Sequence, residues 1–174
     1  NNSSNDPYNW RFEIAAGVGV AATGTADKKP LQQGVFRCLS WRNKTDVPTP
    51  DYGGGYGYNT GFLGSGDLNF FGYKDDEATG RIRVRLATVR RPAATILIAE
   101  TTDWDAAPNF YWDYASIYHP SKVTPGVFPS PPVGNRHREG INLFWVDGHV
   151  SWMAQTVLLA GANNDVDWYY RRVK

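Results

Sequence analysis

Cysteine is almost missing from this sequence: Cys38 stands alone among 174 residues. An intrachain disulfide and a multi-thiolate metal cluster are both excluded. Long apolar runs are missing too. The longest, Ala15 to Ala22, is broken by glycine and falls short of the roughly 18 to 20 residues a membrane-spanning helix requires. Charge of one sign is not in excess either. Eighteen Lys and Arg face 17 Asp and Glu for a net charge of +1, which leaves no basic footprint for nucleic acid or an anionic membrane. The chain also has no Ser nucleophile elbow, no His-Glu-x-x-His and no paired-Cys motif. The glycine-rich stretch Asp51 to Gly66 lacks lysine and the spacing of a phosphate-binding loop, so nucleotide binding is disfavoured.

Aromatics, glycine and proline are abundant, with seven Trp, ten Tyr, eight Phe, 18 Gly and 11 Pro. This composition fits a loop-rich protein built on β-structure better than a helical bundle. A hydrophobic content of 41% in 174 residues is enough for one domain with a single core, residues 1–174. Cys38 is expected to be buried as a small hydrophobe.

The strongest local signal lies between Asn135 and Met153. Two strand-like runs, Ile141 to Val146 and His149 to Met153, flank Asp147-Gly148, a pair that tolerates the positive φ of a two-residue hairpin turn. That turn would pair Val146 with His149 and Leu143 with Trp152. Ile141, Leu143, Trp145, Val150 and Trp152 would then share one apolar face, with both tryptophans buried. Further strands are expected at Val35 to Cys38, at Arg83 to Val89, where Val84 and Leu86 alternate with arginines, and at Thr95 to Ala99, a continuous apolar run. The segment around Tyr56, Tyr58 and Phe62 is expected to turn tightly and pack its aromatics on the sheet. Ala154 to Ala160 reads as about two helical turns stopped by Gly161, and Asp167 to Val173 as a final strand or a docked tail. The predicted fold class is α+β, an antiparallel sheet with long loops.

His137 followed by nine residues and Asp147-Gly148, then His149-Val150 and Trp152, resembles the C-terminal signature of the prepilin-type H-x(9)-DG family of pseudopilin-like proteins. Val35-Phe36-Arg37-Cys38, Tyr56-Gly57-Tyr58-Asn59 and the segment Arg91 to Glu100 resemble other segments of that family, in its order. The resemblance implies a pseudopilin-like globular domain, preceded in the precursor by a cleavable leader and a long apolar helix. It implies a non-enzymatic subunit of a type II secretion pseudopilus or type IV-pilus-like filament, located in the cell envelope or at the cell surface. Its partners would be copies of itself, other pseudopilins and the secretion machinery, with membrane contact only through the preceding helix.

Chemistry in the sequence is sparse. His137, Asp147 and Gly148 are expected to be structural: His137 holding its loop by a ring hydrogen bond to backbone, without a metal, and Asp147 adopting positive φ. Ten residues of extended chain span about 33 Å, so His137 and Asp147 can pair only if Arg138 to Gly140 folds back sharply. Glu100, Asp103, Asp105 and Asp113 form the one carboxylate cluster. Loop carboxylates suit a hard cation, which makes Asp103, Asp105 and Asp113 candidate calcium ligands; no other cofactor is indicated. Trp104, Tyr111, Trp112 and Tyr114 crowd the same stretch and suit stacking on sugar rings, the mark of a glycan-binding module.

Overall fold

The structure is a computed structural model, and it describes residues 38–40, 55–63, 85–101, 117, 119–122 and 133–171. The strand expected at Val35 to Cys38 therefore lies outside them, apart from Cys38 itself. Four antiparallel strands form one sheet in the order β1-β2-β3-β4: β1 is Tyr56–Tyr58, β2 Ile96–Glu100, β3 Gly140–Trp145 and β4 Val150–Ala154. Among the described residues two short helices accompany them, α1 at Thr60–Leu63 and α2 at Gln155–Ala160. An antiparallel sheet with a little helix agrees with the expected α+β class.

β2 follows from its composition, since a run of Ile, Leu, Ile and Ala suits a strand paired on both edges. Its partners are β1, with Tyr56 opposite Glu100, and β3, with Ala99 opposite Leu143. The register shifts between Ile96 and Ile98. This bulge re-aims the strand, so Ile96 and Ala99 both enter the core while Ile98 and Glu100 face the other way. The core joins Ile96 and Ala99 to Ile141, Leu143 and Trp145 of β3, Phe62, Leu158 of α2 and Tyr170. Gly161, at φ 69, ends α2 as expected.

The described part of the C-terminal segment, to Arg171, is a docked tail and not a strand. Residues 166–170 are turns, fastened where Ile96 N–H donates to Tyr169 O at 2.8 Å. Buried Asn59 is the second fastener: its Nδ2 donates at 2.9 Å both to Ile96 O and to Tyr170 O.

Three expectations are corrected here. Leu86–Thr88 is a 3₁₀ turn inside the stretch Arg83 to Val89 that reads as a strand. Its backbone bonds locally, Thr88 N–H to Arg85 O at 2.8 Å and Val89 N–H to Leu86 O at 3.1 Å. Alternation records which residues are apolar, not whether a neighbouring strand is there to pair. Tyr56–Tyr58, expected as a turn, is instead the strand β1.

The third correction is the hairpin register. β3 and β4 pair Phe144 with Val150, Leu143 with Ser151 and Asn142 with Trp152, one residue away from the two-residue-loop register. The loop has three residues, Val146 to Gly148. Gly148 N–H donates to Trp145 O at 3.0 Å, Trp145 N–H donates to His149 O at 3.0 Å, and Gly148 sits at φ 96. This is the three-residue hairpin in which a turn is followed by a left-handed glycine bulge. Asp147 is not among the residues of positive φ; its carboxylate Oδ1 accepts the His149 N–H instead. A slip of one residue turns a whole strand over. Trp145 stays buried, but Trp152 is 52% exposed and Val150 65%. Ser151 takes the inner position, where its Oγ accepts the buried Trp145 indole N–H at 2.7 Å. That bond supplies a reason for the register, because a buried indole N–H left unpaired is costly.

Candidate functional site

At the end of the sheet three residues distant in sequence converge. Glu100 closes β2 on the face opposite the apolar core, with Tyr56 of β1 and Asn142 of β3 beside it. His137 precedes β3 in a tight turn in which His137 and Gly140 exchange both backbone hydrogen bonds, each at 3.1 Å. The two residues between them, Arg138 at φ 53 and Glu139 at φ 62, lie in a region where a side chain costs about 1 kcal/mol or more per residue. The turn is held from outside by Trp152 Nε1–H to His137 O at 2.8 Å and by Gln155 N–H to Glu139 O at 3.1 Å. The Trp152 ring also lies over Gly140, where an added Cβ would sit 2.4 Å from it. Glycine is required there to let the ring approach.

His137 Nε2 lies 2.7 Å from Glu100 Oε1 and 3.4 Å from Cys38 Sγ, and Cys38 Sγ lies 3.6 Å from Glu100 Oε1. The Glu100 side chain is wholly buried. Its Oε2 accepts the Asn142 backbone N–H, and Oε1 accepts the Asn142 side-chain amide, each at 3.2 Å. Burial, followed by the nearness of Cys38 and the negative charge of Glu100, pushes the Tyr56 hydroxyl up to about 12. Arg136 braces the neighbouring backbone by donating to Gly55 O and Thr101 O.

This arrangement corrects two expectations. The His137 ring bonds a carboxylate and a thiol instead of backbone, and Glu100 lies on strand β2 and in this cluster instead of on a loop. Buried Cys38 is as expected, though its contacts are polar. A cysteine nucleophile would need the imidazole as its own base and an open approach to sulfur. Here Nε2 already serves Glu100, and Cys38 is only 2% exposed. What the three side chains can do is hold a cation, since one ligand atom from each lies within 4.8 Å of the others.

A second cluster joins His119, Ser121 and Asp167. His119 Nδ1 lies 3.0 Å from Ser121 Oγ and 3.4 Å from Asp167 Oδ2, and Ser121 Oγ donates to Asp167 Oδ2 at 2.5 Å. The residue types are those of a hydrolase triad, but the geometry is not. A relay places serine and carboxylate on opposite ring nitrogens, whereas both approach Nδ1 here. The cluster is a clasp that docks the C-terminal turn. Burial alone would raise the Asp167 carboxyl, yet hydrogen bonds from His119 and then Ser121 outweigh it and hold Asp167 at about 2.

The signature residues His137 and Asp147 do not pair with each other. The chain does fold back sharply at Arg138 and Glu139, but Asp147 engages His149 Nδ1 at 2.6 Å on the surface, while His137 reaches Glu100. Asp103, Asp105 and Asp113, and the aromatics Trp104, Tyr111, Trp112 and Tyr114, lie outside the described residues. Sequence reading missed the assembly of Cys38 and Glu100 around His137; the available signal was an acid placed directly after the apolar run of β2. Asn59 was marked only as the end of the Tyr56-Gly57-Tyr58-Asn59 segment, with no role assigned, and Asp167 carried no signal beyond being polar. No family model matches this chain, and neither a curated protein nor a solved structure does.

Proposed function

We propose that this chain is the globular part of a pseudopilin-like, non-enzymatic subunit of a type II secretion pseudopilus or type IV-pilus-like filament in the cell envelope. The observation that carries the reading is the two-sided character of the sheet. One face is closed by Phe62, Leu158 and Tyr170. The other presents Tyr58, Ile98, Phe144, Val150 and Trp152, half-buried or exposed among the described residues, an apolar surface able to take a packing helix or a neighbouring subunit. His137 and Asp147-Gly148, the residues that carry the family resemblance, stand before and after strand β3 of that sheet. The partners under this reading are copies of the chain, other pseudopilins and the secretion machinery.

The test is processing and assembly of the precursor. Co-expression with a prepilin peptidase should cleave a leader next to an apolar helix, and cysteine pairs engineered on Val150 and Ile98 should crosslink to neighbouring subunits in sheared filaments. A precursor with no such leader, or a product that stays monomeric under assembly conditions, would reject the reading.

A further inference from the structure

We propose that Cys38, Glu100 and His137 form a binding site for one divalent transition-metal ion of the zinc type, independently of whether the chain assembles into a filament. Thiolate sulfur, imidazole nitrogen and carboxylate oxygen are the three ligand types zinc takes from proteins. Ligand atoms around a tetrahedral zinc stand about 3.3 to 3.6 Å apart, given bonds of about 2.3 Å to sulfur and about 2.0 to 2.1 Å to nitrogen or oxygen. The two edges that involve sulfur are already at 3.4 and 3.6 Å. The third, 2.7 Å between Nε2 and Oε1, is a hydrogen bond that opens by about 0.6 Å when a metal replaces the shared proton.

Charge points the same way. Cys38 and Glu100 are almost wholly shielded from solvent. A dication bound by one thiolate and one carboxylate is neutral overall, so the assembled centre avoids a buried net charge. Cys38 binds after its thiol proton passes to solvent. A thiolate in the set selects against calcium and magnesium, which take oxygen ligands.

The surrounding hydrogen bonds are those that orient ligands. Asn142 donates from both its backbone and its side chain to Glu100. Outer partners of this kind set ligand direction and metal affinity. His137, the least buried of the three at 28%, faces the side from which an ion reaches the centre. A metal here would also tie together chain segments 62 and 99 residues apart, so binding should stabilise the fold.

The experiment titrates the chelator-treated full chain with Zn²⁺ and separately with Co²⁺. Expected are one equivalent of Zn²⁺ per chain, a higher melting temperature, and a Co²⁺ spectrum with sulfur-to-cobalt charge transfer. Cys38→Ser should abolish the charge-transfer band, and His137→Gln should weaken Zn²⁺ binding at least about 100-fold. His149→Gln, which removes the exposed pair at the hairpin, should leave both readouts unchanged. No saturable binding by the wild-type chain overturns the proposal, a result that does not depend on any variant folding. So does binding that survives Cys38→Ser with its spectrum intact, or that disappears with His149→Gln.

Discussion

Two histidine–carboxylate pairs stand at opposite ends of strand β3 at nearly the same separation. His137 and Glu100 are 2.7 Å apart, His149 and Asp147 2.6 Å. Their surroundings differ: the Glu100 side chain is 0% exposed and Asp147 34%. An exposed carboxylate that loses its partner turns to water, so its pair contributes little to stability. A buried carboxylate has no such alternative, so its partners are all committed to it. The buried His119–Asp167 pair, at 3.4 Å, belongs with His137 despite being longer. Distance alone does not rank these pairs; the cost of losing a partner does.

The sharpest way to break this ranking is Glu100→Ala. The change leaves Asn142 N–H, its side-chain amide, His137 Nε2 and the Cys38 thiol without their acceptor. Breaking one side of a buried pair costs about 3 to 5 kcal/mol, and urea denaturation should show a loss of that size at constant m. A loss under about 1 kcal/mol would mean that water reaches the cluster as readily as it reaches Asp147.

Next in size is the acid sensitivity of the clasp. Asp167 is held at about 2 against an ordinary value of 3.8, so between these values the unfolded chain binds the proton more readily than the folded one. Its stabilisation is complete above about pH 4 and is lost as pH falls toward 2, to the extent of about 2 kcal/mol. Melting curves from pH 5 to 2 should show this slope, and Asp167→Asn should flatten it. An identical slope in both proteins would remove Asp167 from the set of committed carboxylates.

A smaller effect acts on the buried pair from outside. Trp152→Phe keeps a ring over Gly140 but deletes the indole N–H that holds His137 O. The bond is exposed, so the cost should be at most about 0.5 to 1 kcal/mol, with amide exchange faster at Glu139 and Gly140. Unchanged exchange there would show that the strained turn is held by Gln155 and Glu100 alone.

These residues also mark where sequence reading succeeds and stops. The strand Ile96–Glu100 was legible because an unbroken apolar run has few other uses, and α2 because Gly161 can take the left-handed conformation that ends a helix. The hairpin was legible as a hairpin but not in register. Gathering Val150 and Trp152 with Ile141 and Leu143 made the more apolar face, while the molecule instead satisfies the Trp145 N–H through Ser151 and lets Gly148 form a bulge. The site was legible only in part, through His137. Cys38 and Glu100 lie 62 residues apart, and nothing local in either segment states that strand pairing will bring them to one imidazole. Arg83 to Val89 failed for a related reason, since alternation implies a strand only where a neighbour is available to bond it.

The smallest expected effect lies at the exposed pair, where the comparison meets its strictest test. Asp147 Oδ1 accepts from His149 Nδ1 at 2.6 Å and from His149 N–H at 3.2 Å. The His149 side chain, by its hydrogen bond, lowers the Asp147 carboxyl below its ordinary value. By linkage this favours the folded state above the unfolded-state value and fades as pH falls through the folded one. Solvent competes for every one of these contacts. Asp147→Asn keeps an oxygen for the His149 N–H and removes only the charge, so its melting temperature at pH 7 should match the wild type in 0.5 M salt and differ only slightly at low ionic strength. A large loss that persists in high salt would show that charge in the Asp-Gly turn is structural. The two halves of the His137 and Asp147-Gly148 signature would then carry equal weight, contrary to the burial that separates them.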